Sequence, residues 1–253
     1  MHYIIRILYL SDVRLTLPCP FGHDRIAPIR RGLAIIESIS LHPCGTPVMQ
    51  LSCPRGLMLG PGQAVLAHQP GSQEPLRHPL FPVHVDDQGF SAHMPDGVEW
   101  APGSRLDLWG PLARGFQPPL ACSRWLLLCH GAWSGALLSL IQLGLGRSCA
   151  IALQAKDHPP DLPKEVEVIS DLPSAIPWAD YLAAEVAIDD LPALHQALPT
   201  SEGTVVPQVA EVLVHTTLPC GFGACGACAV PMHRGWRLAC LEGPVFDLKM
   251  LGW

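Results

Sequence analysis

Positive charge is scarce in this chain. Its 16 Lys and Arg are outnumbered by 22 Asp and Glu, for a formal net charge of −6 over 253 residues. With a pI near 6.0 and no basic run, nucleic acid and anionic membrane are poor main partners. The 12 histidines are scattered, and neither H-x3-H nor H-E-x-x-H occurs, so the usual zinc-hydrolase patterns are missing. No G-x-S-x-G or Ser-His-Asp arrangement offers a nucleophile. The adjacent Asp189 and Asp190 fit a helix N-terminus better than acid catalysis. A secretory segment is also lacking: the apolar YIIRILYL near the start is interrupted by Arg6 and too short for a signal core. Ten cysteines in such a chain point to a reducing, cytoplasmic setting.

One stretch is long enough to cross a bilayer. Residues 125–146, WLLLCHGAWSGALLSLIQLGLG, carry no formal charge over 22 positions, near the length a membrane helix needs. It divides, however, into a strand-like WLLLC, a glycine-containing turn and a helix, ALLSLIQLGLG. That is how a buried βα unit reads, so no membrane span is expected. Cys129 and Cys149 fall in apolar strands and read as inert core thiols. The 27 prolines, about double the usual share of roughly 5%, predict many short turns rather than long helices.

What is present is a cysteine cluster near the end. Cys220, Cys225, Cys228 and Cys240 are spaced C-x4-C-x2-C-x11-C. The opening trio matches the start of the plant-type [2Fe-2S] pattern. Gly221, Gly223 and Gly226 permit positive φ and close approach of backbone to an inorganic core, while Ala224 and Ala227 add no bulk. Backbone N–H groups in such a loop offset the charge of thiolates. Phe222, the one large residue, is expected to shield the cluster edge from water. Structural zinc usually takes paired C-x2-4-C knuckles, and disulfide frameworks belong to small secreted domains; both fit less well but remain alternatives.

The stretch CGFGACGACAV followed by WRLACLEGPVFDL resembles the C-terminal cluster domain of the dihydroorotate dehydrogenase electron-transfer subunit family. Small subunits of bifurcating ferredoxin:NADP oxidoreductases and sulfhydrogenase-type flavin subunits share most of this motif. The resemblance continues upstream in LGPGQAVLA (residues 59–67) and LDLWGPLARGF (residues 106–116), where Ala113 replaces a usual glycine. It implies a ferredoxin-reductase-like fold: an antiparallel β-barrel, a shortened Rossmann-like α/β lobe and a small [2Fe-2S] domain. It also implies FAD, pyrimidine biosynthesis and a catalytic dihydroorotate dehydrogenase subunit as partner in a hetero-oligomer. LEGPVFDL is expected to pack on the cluster loop, with Pro244 and Phe246 available for an interface or, for Phe246, for the core.

The sequence departs from the family where cofactors bind. The family's R-P-[IL]-S, whose arginine meets FAD phosphates, has LRHPLF as its counterpart. Arg77 and His78 compete for the arginine position, Pro79 and Leu80 are retained, and Phe81 replaces the serine. Gly89 and Ser91 substitute poorly for the next phosphate turn. The glycine-rich nucleotide turn is replaced by CHGAWSGAL, with Trp133 in space a pyrophosphate needs. NAD is therefore not expected, and the lobe reads as a packing scaffold. The alternative function is a cluster-bearing electron-transfer or binding module without nicotinamide chemistry.

Four segments follow: an N-terminal extension (1–29), the flavin-type barrel (30–118), the degenerate nucleotide-type lobe (119–205) and the cluster domain (206–253). LAIIESISL, PVMQLSC, AVLAH, FPVHV and RLDLW are the barrel strands. WLLLC, CAIALQ and EVEVIS are parallel strands of the lobe, with helices at ALLSLIQLGLG and DDLPALHQAL. VAEVLVHTT delivers the chain to the cluster loop, and WRLAC returns as a strand bearing Cys240.

Overall fold

The computed structural model describes residues 29–252 apart from 43–44, 58, 113, 132–133, 157, 159–161 and 199–206. The readings of the N-terminal extension, Ala113 and Trp133 lie outside the described residues.

Seven strands form the first sheet: β1 (Arg30–Leu41), β2 (Pro47–Ser52), β3 (Ala64–His68), β4 (His78–Leu80), β5 (Pro82–Val85), β6 (Gly89–His93) and β7 (Arg105–Leu112). Their order is β4-β3-β7-β1-β2-β6-β5, every neighbour antiparallel. Alternation drives this sheet. On β1, Ala34 and Ile36 are fully buried while Leu33 and Ile35 are exposed on the other face. The inward residues close a core with Met49, Leu51, Val65, Phe90, Leu106 and Leu108. Gly89 tolerates no side chain, since a Cβ would lie 1.9 Å from the Leu51 carbonyl oxygen. It serves sheet packing.

The second sheet is mostly parallel. It contains β8 (Arg124–His130), β9 (Ala150–Ala155), β10 (Val166–Val168), β11 (Tyr181–Ala187), β12 (Val209–His215) and β15 (Val245–Asp247), in the order β10-β9-β8-β11-β12-β15. Only β15 runs antiparallel to its neighbour. The uncharged run is thus a strand followed by α1 (Ala136–Gly146), an 11-residue helix. Among the described residues no helix is long and apolar enough to cross a membrane. Alternate residues of β8 feed opposite faces of the sheet: Trp125, Leu127 and Cys129 pack toward α1, Leu126 and Leu128 toward the other side. Such two-sided burial is why WLLLC shows no polar alternation. Helix α1 lies close on the sheet because Gly144 leaves room for Trp125; a Cβ there would be 2.8 Å from the indole.

Two short helices, α2 (Leu172–Ala175) and α3 (Leu191–Ala197), follow on the way to β12, the second preceded by a 3-10 turn at Ile188–Asp190. Asp189 and Asp190 therefore sit at a helix start, as their adjacency suggested. Beyond β12 come the cysteine loop, the hairpin β13 (Ala229–Pro231) and β14 (Trp236–Leu238), and α4 (Ala239–Glu242). Cys240 is carried by this helical turn and not by the returning strand, a correction to the sequence reading. The strand stops at Leu238 because residues 239–242 turn back, with the Gly243 N–H donating to the Ala239 carbonyl. Phe246 is core, 4% exposed, filling the space that Gly243 leaves open. It presents no interface.

Candidate cluster centre and its surroundings

The four cysteines converge as two pairs. The Sγ atoms of Cys220 and Cys225 are 3.4 Å apart, and those of Cys228 and Cys240 are also 3.4 Å apart. A tetrahedral metal with sulfur at roughly 2.3 Å has its sulfurs about 3.8 Å apart, so each pair is close to the edge of one metal site. Cys228 and Cys240 are buried; Cys220 is half-buried and Cys225 exposed. The centre therefore has a dry side and a solvent side. Among the described residues, no three of His, Cys, Asp or Glu gather as a ligand set for a single ion.

The loop's backbone is shaped for this convergence. Gly221, Gly223 and Gly226 have φ of +77°, +78° and +72°, a region that side chains disfavour. Gly221 also fits against the barrel, where a Cβ would approach Leu66 Cδ1 to 2.6 Å, and Gly223 against Leu241 at 2.5 Å. With both neighbours turned inward, Phe222 faces out and is 43% exposed.

Backbone N–H groups point at the sulfurs. Burial alone would raise the Cys220 thiol, but hydrogen bonds from the N–H groups of Phe222, Cys225 and Ala224 and from the Cys225 thiol hold it below its usual range. The hydrogen bond shared with Cys240 brings Cys228 down to about 6, against the opposing effect of burial. Cys240 is pushed up, by its bond to Cys228 and by burial. One thiolate is thus favoured in each pair, in a setting built to receive negative sulfur.

The flavin-type residues lie on the strand next to this loop's contact. In β4, His78, Pro79 and Leu80 pair with Ala67, Leu66 and Val65 of β3, and Leu66 is the residue Gly221 rests on. Arg77, just before β4, stacks 3.9 Å over the Trp109 ring. It donates from Nη1 to the Asp107 carbonyl at 2.9 Å and from Nη2 to its carboxylate at 2.7 Å. His78 pairs with Glu74 at 3.1 Å. Among the described residues the buried indole N–H groups of Trp100 and Trp109, beside His78 and Arg77, have no hydrogen-bond partner. Unused donors of this kind usually mark a missing acceptor. Phe81 meets the His215 ring edge-on at 4.9 Å.

Two buried carboxylates escaped sequence reasoning. Glu211 accepts from Tyr181 Oη at 2.7 Å and the Gln117 N–H at 2.8 Å, and pairs with Arg114. Fully buried Glu185 accepts from the Ser134 N–H at 2.7 Å and from His215 Nε2 at 2.8 Å. The available signal was a lone acid inside an apolar strand, in YLAAEVA and in VAEVLVH, where an unpaired charge is too costly to bury.

Comparison with known proteins places this architecture. Residues 215–252 match the iron-sulfur cluster binding domain of dihydroorotate dehydrogenase B. The chain resembles that enzyme's electron-transfer subunit. The dihydroorotate dehydrogenase B (NAD(+)) electron transfer subunit of Desulforamulus reducens is 27% identical over 176 residues, covering 60% of this chain and 67% of that one. A solved NADH-dependent reduced ferredoxin-NADP oxidoreductase superposes with a TM-score of 0.64 at 17% identity, over 87% of this chain and 88% of that one. Amycolatopsis cytochrome P450 reductase GcoB gives 0.51 at 15% identity, over 73% and 71%. These likenesses establish a ferredoxin-reductase-like fold, with the dihydroorotate dehydrogenase B type of cluster segment at its C-terminal end.

Proposed function

We propose that this chain is an oxidoreductase electron-transfer subunit of the dihydroorotate dehydrogenase B kind, holding a [2Fe-2S] cluster on Cys220, Cys225, Cys228 and Cys240. The observation that carries the proposal is the division of four thiols into two pairs, each of about the width one metal requires. Cys220 with Cys225 would hold one iron and Cys228 with Cys240 the other. When bound, the cluster supplies one-electron storage and release. The chain's own contribution is positional. Loop N–H groups stabilise negative sulfur, the β13–β14 hairpin and α4 bury one pair, and the exposed Cys225 side leaves a short approach from outside.

FAD is the second cofactor of this reading, against β4 with Arg77, His78, Pro79 and Leu80. The Arg77 guanidinium spends two of its five N–H groups on Asp107, which leaves donors for a phosphate. The unpartnered indole of Trp109 stands beside it. Leu66 of β3 pairs in register with Pro79 of β4, and its side chain lies against Gly221 of the cysteine loop. No side chain of this chain is assigned a catalytic role. Dihydroorotate oxidation would belong to a catalytic partner subunit in a cytoplasmic hetero-oligomer of pyrimidine biosynthesis, and residues 30–118, 119–205 and 206–253 would be the three functional units. Anaerobic purification followed by iron, acid-labile sulfide and flavin analysis tests this. About two irons and two sulfides per chain, with FAD, are expected; zinc or absent sulfide refutes the cluster, and cluster without flavin leaves the module reading.

A further inference from the structure

We propose that Glu185 occupies, from within the chain, the place a nucleotide phosphate takes in lobes of this architecture, so that this lobe rejects anionic dinucleotides by charge. The parallel sheet has its topological switch between β8 and β11, the neighbours from which strand order runs outward both ways. Ligands of such sheets bind at the carboxyl ends of the strands there, against the N-terminus of the following helix. Glu185 is at that end, paired in register with Cys129 of β8. Its Oε1 takes the Ser134 N–H at 2.7 Å, two residues before α1 begins. This N–H belongs to the turn that would otherwise face a phosphate.

A second carboxylate guards the same turn. Asp190 Oδ2 lies 2.9 Å from where a Cβ on Gly131 would be. Glu185 is held as an anion: burial would raise its carboxyl, but hydrogen bonding and charge from His215 together with the Ser134 N–H keep it below the usual carboxylate range. Among the described residues its buried Oε2 has no hydrogen-bond partner, nor has Nε2 of His93, 3.4 Å from a Cβ placed on Gly135. A phosphate entering here would find the Ser134 N–H already bonded to the Glu185 carboxylate, which is itself paired with His215, and would stand beside the Asp190 carboxylate. An uncharged nucleoside meets no such opposition. The inference concerns the lobe alone and does not depend on the cluster reading.

The test is titration of the holoprotein with ADP-ribose, NADH and adenosine by calorimetry. Wild type is expected to give no saturable signal with either phosphate-bearing ligand. E185Q, which keeps an acceptor for Ser134 without the charge, is expected to gain about tenfold or more in ADP-ribose affinity, with adenosine unchanged. D190N, nearer the surface, should gain a smaller factor and decides the matter if E185Q does not fold. Wild-type binding as tight as that of the variants overturns the proposal, as does the absence of any gain in a variant with native circular dichroism and visible spectrum.

Discussion

Tyr181, at the start of β11, donates its hydroxyl at 2.7 Å to the buried carboxylate of Glu211 on the neighbouring strand β12. The same carboxylate receives the Gln117 N–H and the Arg114 guanidinium from the segment that leaves the barrel. One acid therefore stitches the barrel exit to the sheet that delivers the chain into the cysteine loop. Tyr181 in turn has its ionisation pushed up, chiefly by burial and then by the Glu211 charge, and remains a donor. Tyr181→Phe is expected to cost about 1 kcal/mol and Glu211→Ala about 2–4 kcal/mol, since the latter strands several donors at once. Urea unfolding of the holoprotein, followed by circular dichroism, measures both; equal costs would contradict Glu211 as the hub.

Replacing Cys225 by serine should abolish the visible absorbance and release iron and sulfide. Cys225 is exposed, so the fold is expected to survive by circular dichroism. Retained absorbance would remove it from the ligand set.

The loop glycines separate by surroundings. Gly226 has φ of +72° with open space around it, whereas Gly223 has φ of +78° and Leu241 within 2.5 Å of a Cβ. Gly226→Ala should cost about 1 kcal/mol of backbone strain and keep the cluster. Gly223→Ala adds a clash beside Cys240 and should lower iron occupancy several-fold, as read by iron analysis on matched preparations.

Asp107 gives a pH dependence of defined sign. Burial would raise its carboxyl, but hydrogen bonds from Arg31 and Arg77 hold it below the ordinary carboxylate range. A depressed folded-state pKa contributes stability in full above the unfolded value near 3.9. The contribution is lost as pH falls through the lower folded value. Asp107→Asn should therefore destabilise at pH 7 and converge with wild type as pH falls below the lowered folded value. Denaturation midpoints across that range check it, and a constant difference at all pH values would contradict the linkage.

Arg77→Ala should reduce bound flavin after purification while leaving iron content unchanged, because Arg77 contacts Asp107 and Trp109 in the barrel. Undiminished flavin would remove Arg77 from the flavin site.

Much of this protein is written in local sequence. Period-two strands, glycine-punctuated turns and the helix 136–146 were legible because burial pattern and backbone preference are local properties. The C-x4-C-x2-C-x11-C spacing marked the four thiols in the same way, since three of them share one short loop. Tertiary structure alone decided the rest. It set Cys220 against Cys225 and Cys228 against Cys240, carried Cys240 on a helical turn, and turned Phe222 outward. It also brought Glu185 to the turn before α1, across 51 residues of sequence. A buried charge takes its role from the donors packed around it, and those come from distant strands that only the folded sheet makes neighbours.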